Sequence, residues 1–87
     1  MRRTVRRIID GDTFEVARKI GSTRFVRLAN YDAPEKHQSG GRKATNRLRG
    51  MIGGKTVSIV PRGKSYGRVV ADVRLNRRSI NKRLRTR

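Results

Sequence analysis

The stretch "TVRRIIDGDTFEVARK" (residues 4–19) constrains the fold more than any other part of the chain. Two β-branched runs flank Asp10-Gly11-Asp12, and Asp and Gly are the residues that tight turns select, so the chain opens with a hairpin. "GST" turns it again into "RFVRLANY" (24–31), a third strand closed by Pro34, which offers no amide donor. From Gly40 the apolar period lengthens. Ala44, Leu48, Met51 and Ile52 form one helical stripe, with Arg42, Lys43, Asn46 and Arg49 on the other side and Gly53-Gly54 as the stop. Alternation resumes in "KTVSIVP" (55–61) and, after a turn at "RGKSYG", in "RVVADVRL" (68–75), where Val69, Ala71, Val73 and Leu75 share a face. "NRR" then leads into "SINKRLRTR" (79–87), a short closing helix carrying Ser79, Ile80 and Leu84. Three strands, a helix and two more strands make a mainly β, α+β chain, an order that suits a five-stranded OB-type Greek-key barrel and is shared by other small folds.

Such a barrel has little core to draw on. At 87 residues the chain forms one domain, 1–87, and Leu, Ile, Val and Phe make up only 20 of those residues. The formal net charge is +18, from 24 Lys and Arg against six Asp and Glu, so self-repulsion erodes the margin and salt or a polyanion restores it. That charge points first to nucleic acid, ahead of an anionic membrane or an acidic protein. Arg outnumbers Lys, which fits bidentate phosphate recognition and equally fits a GC-rich codon bias. There is no cysteine, hence no disulfide framework and no thiolate site. No apolar run reaches membrane-spanning length, and "MRRTVRRIIDGD" meets a turn before a signal-peptide core forms. The expectation is a cytoplasmic protein with no membrane partner, or a secreted one if a leader was removed.

The scarce acids are clustered. Asp10, Asp12 and Glu15 fall within six residues, and Asp32 and Glu35 fall together in "YDAPEK". Taken singly, each cluster is an ordinary turn. Yet Asn or Ser would turn the chain as well, and a chain so basic has no other use for five acids at two turns. Carboxylates gathered in a positive field point to a divalent cation, and with no Cys and only His37, read as a solvated loop residue, hard oxygen donors favour Ca²⁺ or Mg²⁺. A cation held by few carboxylates leaves room for water and a phosphate oxygen, as phosphodiester hydrolysis requires.

Four blocks carry a family resemblance: "IDGDTFEV", "VRLANYDAPE", "YGRVVADV" and "SINKRL". In order and approximate spacing they resemble the staphylococcal nuclease (thermonuclease-like, SNase) family from about Val5 to Leu84. The resemblance implies an OB-type barrel and a metal-dependent endonuclease leaving 3′-phosphate ends on DNA or RNA. It implies Asp12 and Asp32 as Ca²⁺ ligands, with the main-chain carbonyl of Ala33, where many members have Thr. It implies Glu35 as general base, Arg27 and Arg68 as the arginines on the scissile phosphate, and Asp10 as a support that fixes the turn. Tyr66 reads either as a base-stacking residue or as an aromatic at the edge of the core.

Two departures accompany the match. "GKS" (63–65) precedes Tyr66-Gly67-Arg68 where the prototype carries an acid, and the chain stops where the family continues into further loops and a long helix. The expectation is therefore a C-terminally shortened domain, monomeric or completed by a partner chain. The competing expectation is a non-catalytic basic module that binds nucleic acid through the barrel. Both predict binding that weakens with salt, so only cleavage separates them.

Overall fold

The computed structural model describes residues 1–85. In chain order it contains β1 (Arg2–Asp10), β2 (Thr13–Ile20), β3 (Thr23–Leu28), α1 (Gly41–Ile52), β4 (Thr56–Ser65), β5 (Arg68–Leu75), β6 (Arg78–Ser79) and α2 (Ile80–Arg85). Strands β1, β2 and β3 form an antiparallel meander, β4 returns antiparallel to β1, and β5 pairs antiparallel with β4. A parallel pairing of β3 with β5, Val26 to Val69 through Leu28 to Ala71, closes the ring. The result is the expected mainly β, five-stranded barrel with an OB-like order and two short helices. No helix among the described residues is long and apolar enough to cross a membrane.

Alternation decides what lies inside. Phe14, Val16, Val26, Leu28, Ile59, Ala71 and Val73 point inward and are fully buried or nearly so. Leu48 and Ile52 of α1 plug one end, and Ile80 and Leu84 of α2 cover another part of the core. Each of the Val, Leu, Ile and Phe side chains contributes about 1.5–3 kcal/mol on leaving water. One polar residue joins them. Asn81, 2% exposed, accepts from the Val73 amide at 2.8 Å and donates to the carbonyls of Ala29 (2.9 Å) and Ala71 (3.0 Å). It ties the exit of β3 to β5 at a place where a leucine would orphan the Val73 amide and the Ala29 carbonyl.

Several elements depart from the sequence reading. The third strand ends at Leu28 rather than Tyr31, because Asn30 takes a left-handed φ of 56° and turns the chain before Pro34 is reached. The fourth strand runs on through Pro61 to Ser65, with a register break between Pro61 and Gly63 that accommodates the missing amide. The turn shrinks accordingly to Tyr66 and Gly67, with φ of 50° and 77°, the handedness two-residue hairpins prefer. A two-residue strand, β6, follows a similar turn at Asn76 and Arg77. In α1 the buried position is Thr45, not Ala44, and its hydroxyl is satisfied by the Gly41 carbonyl at 2.8 Å. The expected closing helix is present as α2, and its last two residues, 86–87, lie outside the described residues.

Gly11 also has an unexpected reason to be glycine. It does not adopt positive φ, so the hairpin turn does not require it. A Cβ there would lie 2.6 Å from the Ala44 Cβ and 2.8 Å from the Ala33 Cβ. Its bareness lets α1 and the segment after β3 close over the β1–β2 turn, which is where the polar residues gather.

Candidate active site

Two halves build the site, one carried by strands and one by a loop. In the strand-borne half, Thr13 pairs with Arg27, Arg27 pairs with Val70, and the Leu28 amide donates to the Asp12 carbonyl at 2.8 Å. The β1–β2 turn, the end of β3 and the start of β5 thus share one mouth of the barrel. Asp12 is 8% exposed, and its side chain is surrounded by donors. One oxygen accepts from the Thr13 hydroxyl at 2.9 Å; the other accepts from the Ala33 amide at 3.1 Å and from Arg27 Nη2 at 3.4 Å. Arg27 also donates to the Leu28 carbonyl at 3.1 Å and makes a close ion pair with Asp32. Arg68 anchors on the Ser65 carbonyl at 3.2 Å, with Nη1 3.5 Å from the Thr13 hydroxyl.

The loop-borne half, residues 31–40, is wetter. The side chains of Asp32 and Glu35 are 89% and 64% exposed. Their backbone is nonetheless tied down. Besides Ala33 on Asp12, the Lys36 amide donates to Asp10 Oδ1 at 3.1 Å, and the Glu35 amide donates to Gln38 Oε1 at 2.7 Å. The Gln38 amide returns a bond to the Glu35 carbonyl at 2.8 Å. Gly41, the first residue of α1, packs so closely that an added Cβ would lie 1.8 Å from that same carbonyl. The helix start therefore fixes where Glu35 sits.

A cavity of ≈ 340 Å³ collects Asp10, Asp12, Arg27, Asp32, Ala33, Glu35, Gln38 and Arg68. Every residue the sequence singled out is here except Glu15 and Tyr66, the latter standing 94% exposed at the tip of the β4–β5 hairpin. That exposure removes the core-edge reading of the ring. Asp10 bonds across to the loop at Lys36, so it secures the loop as well as bordering its own turn. Glu15 proves unrelated to the cavity: it lies two residues further along β2 than Thr13, beside its β1 partner Arg7, with which it pairs at 2.5 Å. Four of the protein's six acids thus face two arginines across one opening.

Two participants escaped the sequence reading. Thr13 bridges Asp12 and Arg68, and Gln38 braces Glu35. His37, read as a solvated loop residue, is exposed outside the cavity lining, with Nε2 3.3 Å from Glu35 Oε2. For Gln38 a signal was available, since it stands three residues after Glu35, the spacing of a local side-chain-to-backbone turn. Nothing in the pattern of strand β2 distinguished Thr13 from any other β-branched residue.

The donor set can be tested against a cation. Among the described residues no group of three or more His, Cys, Asp or Glu forms a metal-holding cluster. Two carboxylates do converge: Asp12 and Asp32 both reach the same nitrogen of Arg27. Oxygen-only donors meeting at one point, one of them open to solvent, fit a hard divalent ion that keeps most of its water. In this arrangement Arg27 already offsets one of the pair's two negative charges, so an arriving ion must share those carboxylates with it.

A closed five-stranded barrel of this order belongs to the OB-like class of small barrels, whose members carry oligonucleotides or oligosaccharides. Within that class, the model of the staphylococcal nuclease homologue family matches residues 25–86, and this chain belongs to that family. The match begins after Asp10 and Asp12. An uncharacterized endonuclease of Escherichia coli is 41% identical over 68 residues, covering 77% of this chain and 44% of that protein. An uncharacterized endonuclease of Haemophilus influenzae is 38% identical over 76 residues, covering 86% and 43% respectively. The protein ParB of Escherichia coli is 40% identical over 77 residues, with 87% and 43% coverage. The chain therefore spans less than half the length of the curated relatives it matches.

Proposed function

We propose that the protein is a metal-dependent nuclease that hydrolyses phosphodiester bonds in DNA or RNA. The observation that carries this reading is the cavity itself, where Asp12, Asp32, Glu35, Arg27 and Arg68 face one another inside a chain of net charge +18. Family membership and relatives named as endonucleases support it.

Asp12 and Asp32, with the Ala33 carbonyl, would hold the cation, for which Ca²⁺ is our first choice and Mg²⁺ the second. When bound, such an ion supplies positive charge that acidifies nearby water and polarises a phosphate oxygen. Glu35 takes a proton from the attacking water as its oxygen bonds to phosphorus, and the P–O5′ bond breaks on the opposite side. The 5′-oxygen leaves with a proton from solvent, and the phosphate stays on the 3′ side. Arg27 and Arg68 bind the equatorial oxygens, where charge grows most in the transition state. Loop tethers at Lys36 and Gln38 keep Glu35 within reach at little entropic cost. Tyr66 stacks on a base beyond the scissile bond. With only two charged ligands the cation site is weak, and activity requires free Ca²⁺ well above the micromolar range.

The test is cleavage of end-labelled single-stranded DNA and RNA in Ca²⁺, in Mg²⁺ and in chelator, with Glu35→Gln alongside. Cleavage that depends on the metal and disappears in the variant supports the assignment. A strand bound tightly and left whole under every condition refutes it and leaves a nucleic-acid-binding barrel. Full activity at micromolar Ca²⁺ refutes the weak-site reading alone.

A further inference from the structure

A second opening lies at the other end of α1. It is a groove of ≈ 310 Å³ lined by Arg6, Arg7, Ile8, Arg49, Gly53 and Gly54. Three guanidinium groups border it and no acid does, the reverse of the cavity that holds four carboxylates. Two of the three are held in place. Buried Glu15 accepts from Arg7 Nε at 2.5 Å, and Asn46 accepts from Arg49 Nη1 at 2.6 Å. Gly53 shapes the wall: a Cβ there would lie 2.6 Å from the Arg49 carbonyl and 3.2 Å from its Cγ. Buried Ile8 forms an apolar floor. Guanidinium pairs grip phosphate, and with no carboxylate lining the groove and only Arg7 paired to one behind it, phosphate binds there without a metal.

We propose that this groove is an exosite for the backbone of a single-stranded nucleic acid whose scissile phosphate lies in the cavity, a placement that rests on the nuclease reading. The helix supplies the ruler. Its first turn packs against Glu35 and the β1–β2 turn, and its last residues form the groove wall. At about 1.5 Å per residue, Gly41 to Gly53 spans roughly 18 Å. That equals about five nucleotides at a stacked spacing of about 3.4 Å, and fewer in a stretched strand. The exposed side chains of Arg42, Lys43 and Arg49 leave the path between the two openings basic. Short substrates would reach the cavity alone; longer ones would engage both openings, with the effective concentration of the second contact raised by the first.

The experiment uses the full chain carrying Glu35→Gln, so that binding is read without cleavage. Anisotropy titrations with a labelled 15-nucleotide strand and with a trinucleotide are compared across a salt series. Arg6→Gln/Arg49→Gln should weaken binding of the long strand about tenfold and flatten its salt slope by about 1.4, the loss of two phosphate contacts at about 0.7 each. Trinucleotide binding should stay unchanged. The control, Arg74→Gln/Arg78→Gln, removes the same charge from exposed positions on β5 and β6 and should cost less than threefold. Equal losses in the two double variants would overturn the exosite, since net charge alone would then explain binding. So would equal weakening of the trinucleotide. Single variants, each with a melting curve, guard against a folding artefact. If the unaltered chain binds in this pattern but cleaves nothing, the nuclease reading falls and the groove stands.

Discussion

The strand-borne and loop-borne halves of the site differ in what holds them. Asp12, Thr13, Arg27 and Arg68 sit on or beside barrel strands, with Asp12 and Thr13 buried and both arginines largely covered. Asp32, Glu35 and Gln38 project from an exposed loop whose order depends on a few side-chain-to-backbone bonds to Asp10, Asp12 and Gln38. Folding the barrel therefore positions Asp12, Arg27 and Arg68 outright, whereas the proposed base is positioned by a few backbone tethers and the close packing of Gly41. Positions that fix the barrel should govern stability, and positions on the loop should govern rate.

The sharpest way to break this comparison is Glu35→Gln. It should lower kcat by about 10²–10⁴-fold, the range for loss of a general base, while an exposed isosteric change leaves stability within about 0.5 kcal/mol. A large drop in the melting temperature would show the loop to be part of the fold's support. Asn81→Leu tests the opposite side. It leaves the Val73 amide and the Ala29 carbonyl without their partner, at a cost of about 2–4 kcal/mol. For a domain of this size that is a melting temperature lower by roughly 10–25 °C, readable by calorimetry, with kcat of the surviving folded fraction nearly unchanged.

Gly11→Ala asks whether the two halves are joined where α1 closes over the hairpin turn. Overpacking against Ala44 and Ala33 should cost about 1–3 kcal/mol and should also disturb the loop, so that both the urea midpoint and kcat fall. Stability lost with kcat intact would show the halves to be independent. The smallest effect is expected from Gln38→Ala, a reduction of several-fold in kcat with unchanged folding, because one bracing hydrogen bond to the Glu35 amide disappears. Steady-state kinetics on a single-stranded substrate measures it, and an unchanged kcat would mean that the Lys36 tether and the Gly41 contact suffice to position Glu35.

Much of this was legible in the order of residues. Period-two runs around Asp10-Gly11-Asp12, the helical stripe ending at Gly53-Gly54 and the alternation of Val69, Ala71 and Val73 all correspond to observed elements, because side-chain burial follows backbone periodicity directly. The clustering of acids in a chain of charge +18 marked the cavity, since charge composition is a property of the sequence alone. Strand ends were less legible. Whether Asn30 turns left-handed, or whether β4 continues through Pro61, depends on which strand arrives alongside.

Tertiary structure alone decided the rest. The parallel closure of β3 on β5 brings Arg68 within 3.5 Å of Thr13, 55 residues apart in the chain. The same packing sends Glu15 away from its two acidic neighbours to Arg7, and makes Gly11 a matter of space rather than of turn handedness. A sequence fixes which groups are present and how they alternate. Which of them meet is set by how sheets close and helices seat, a property of the whole packed chain.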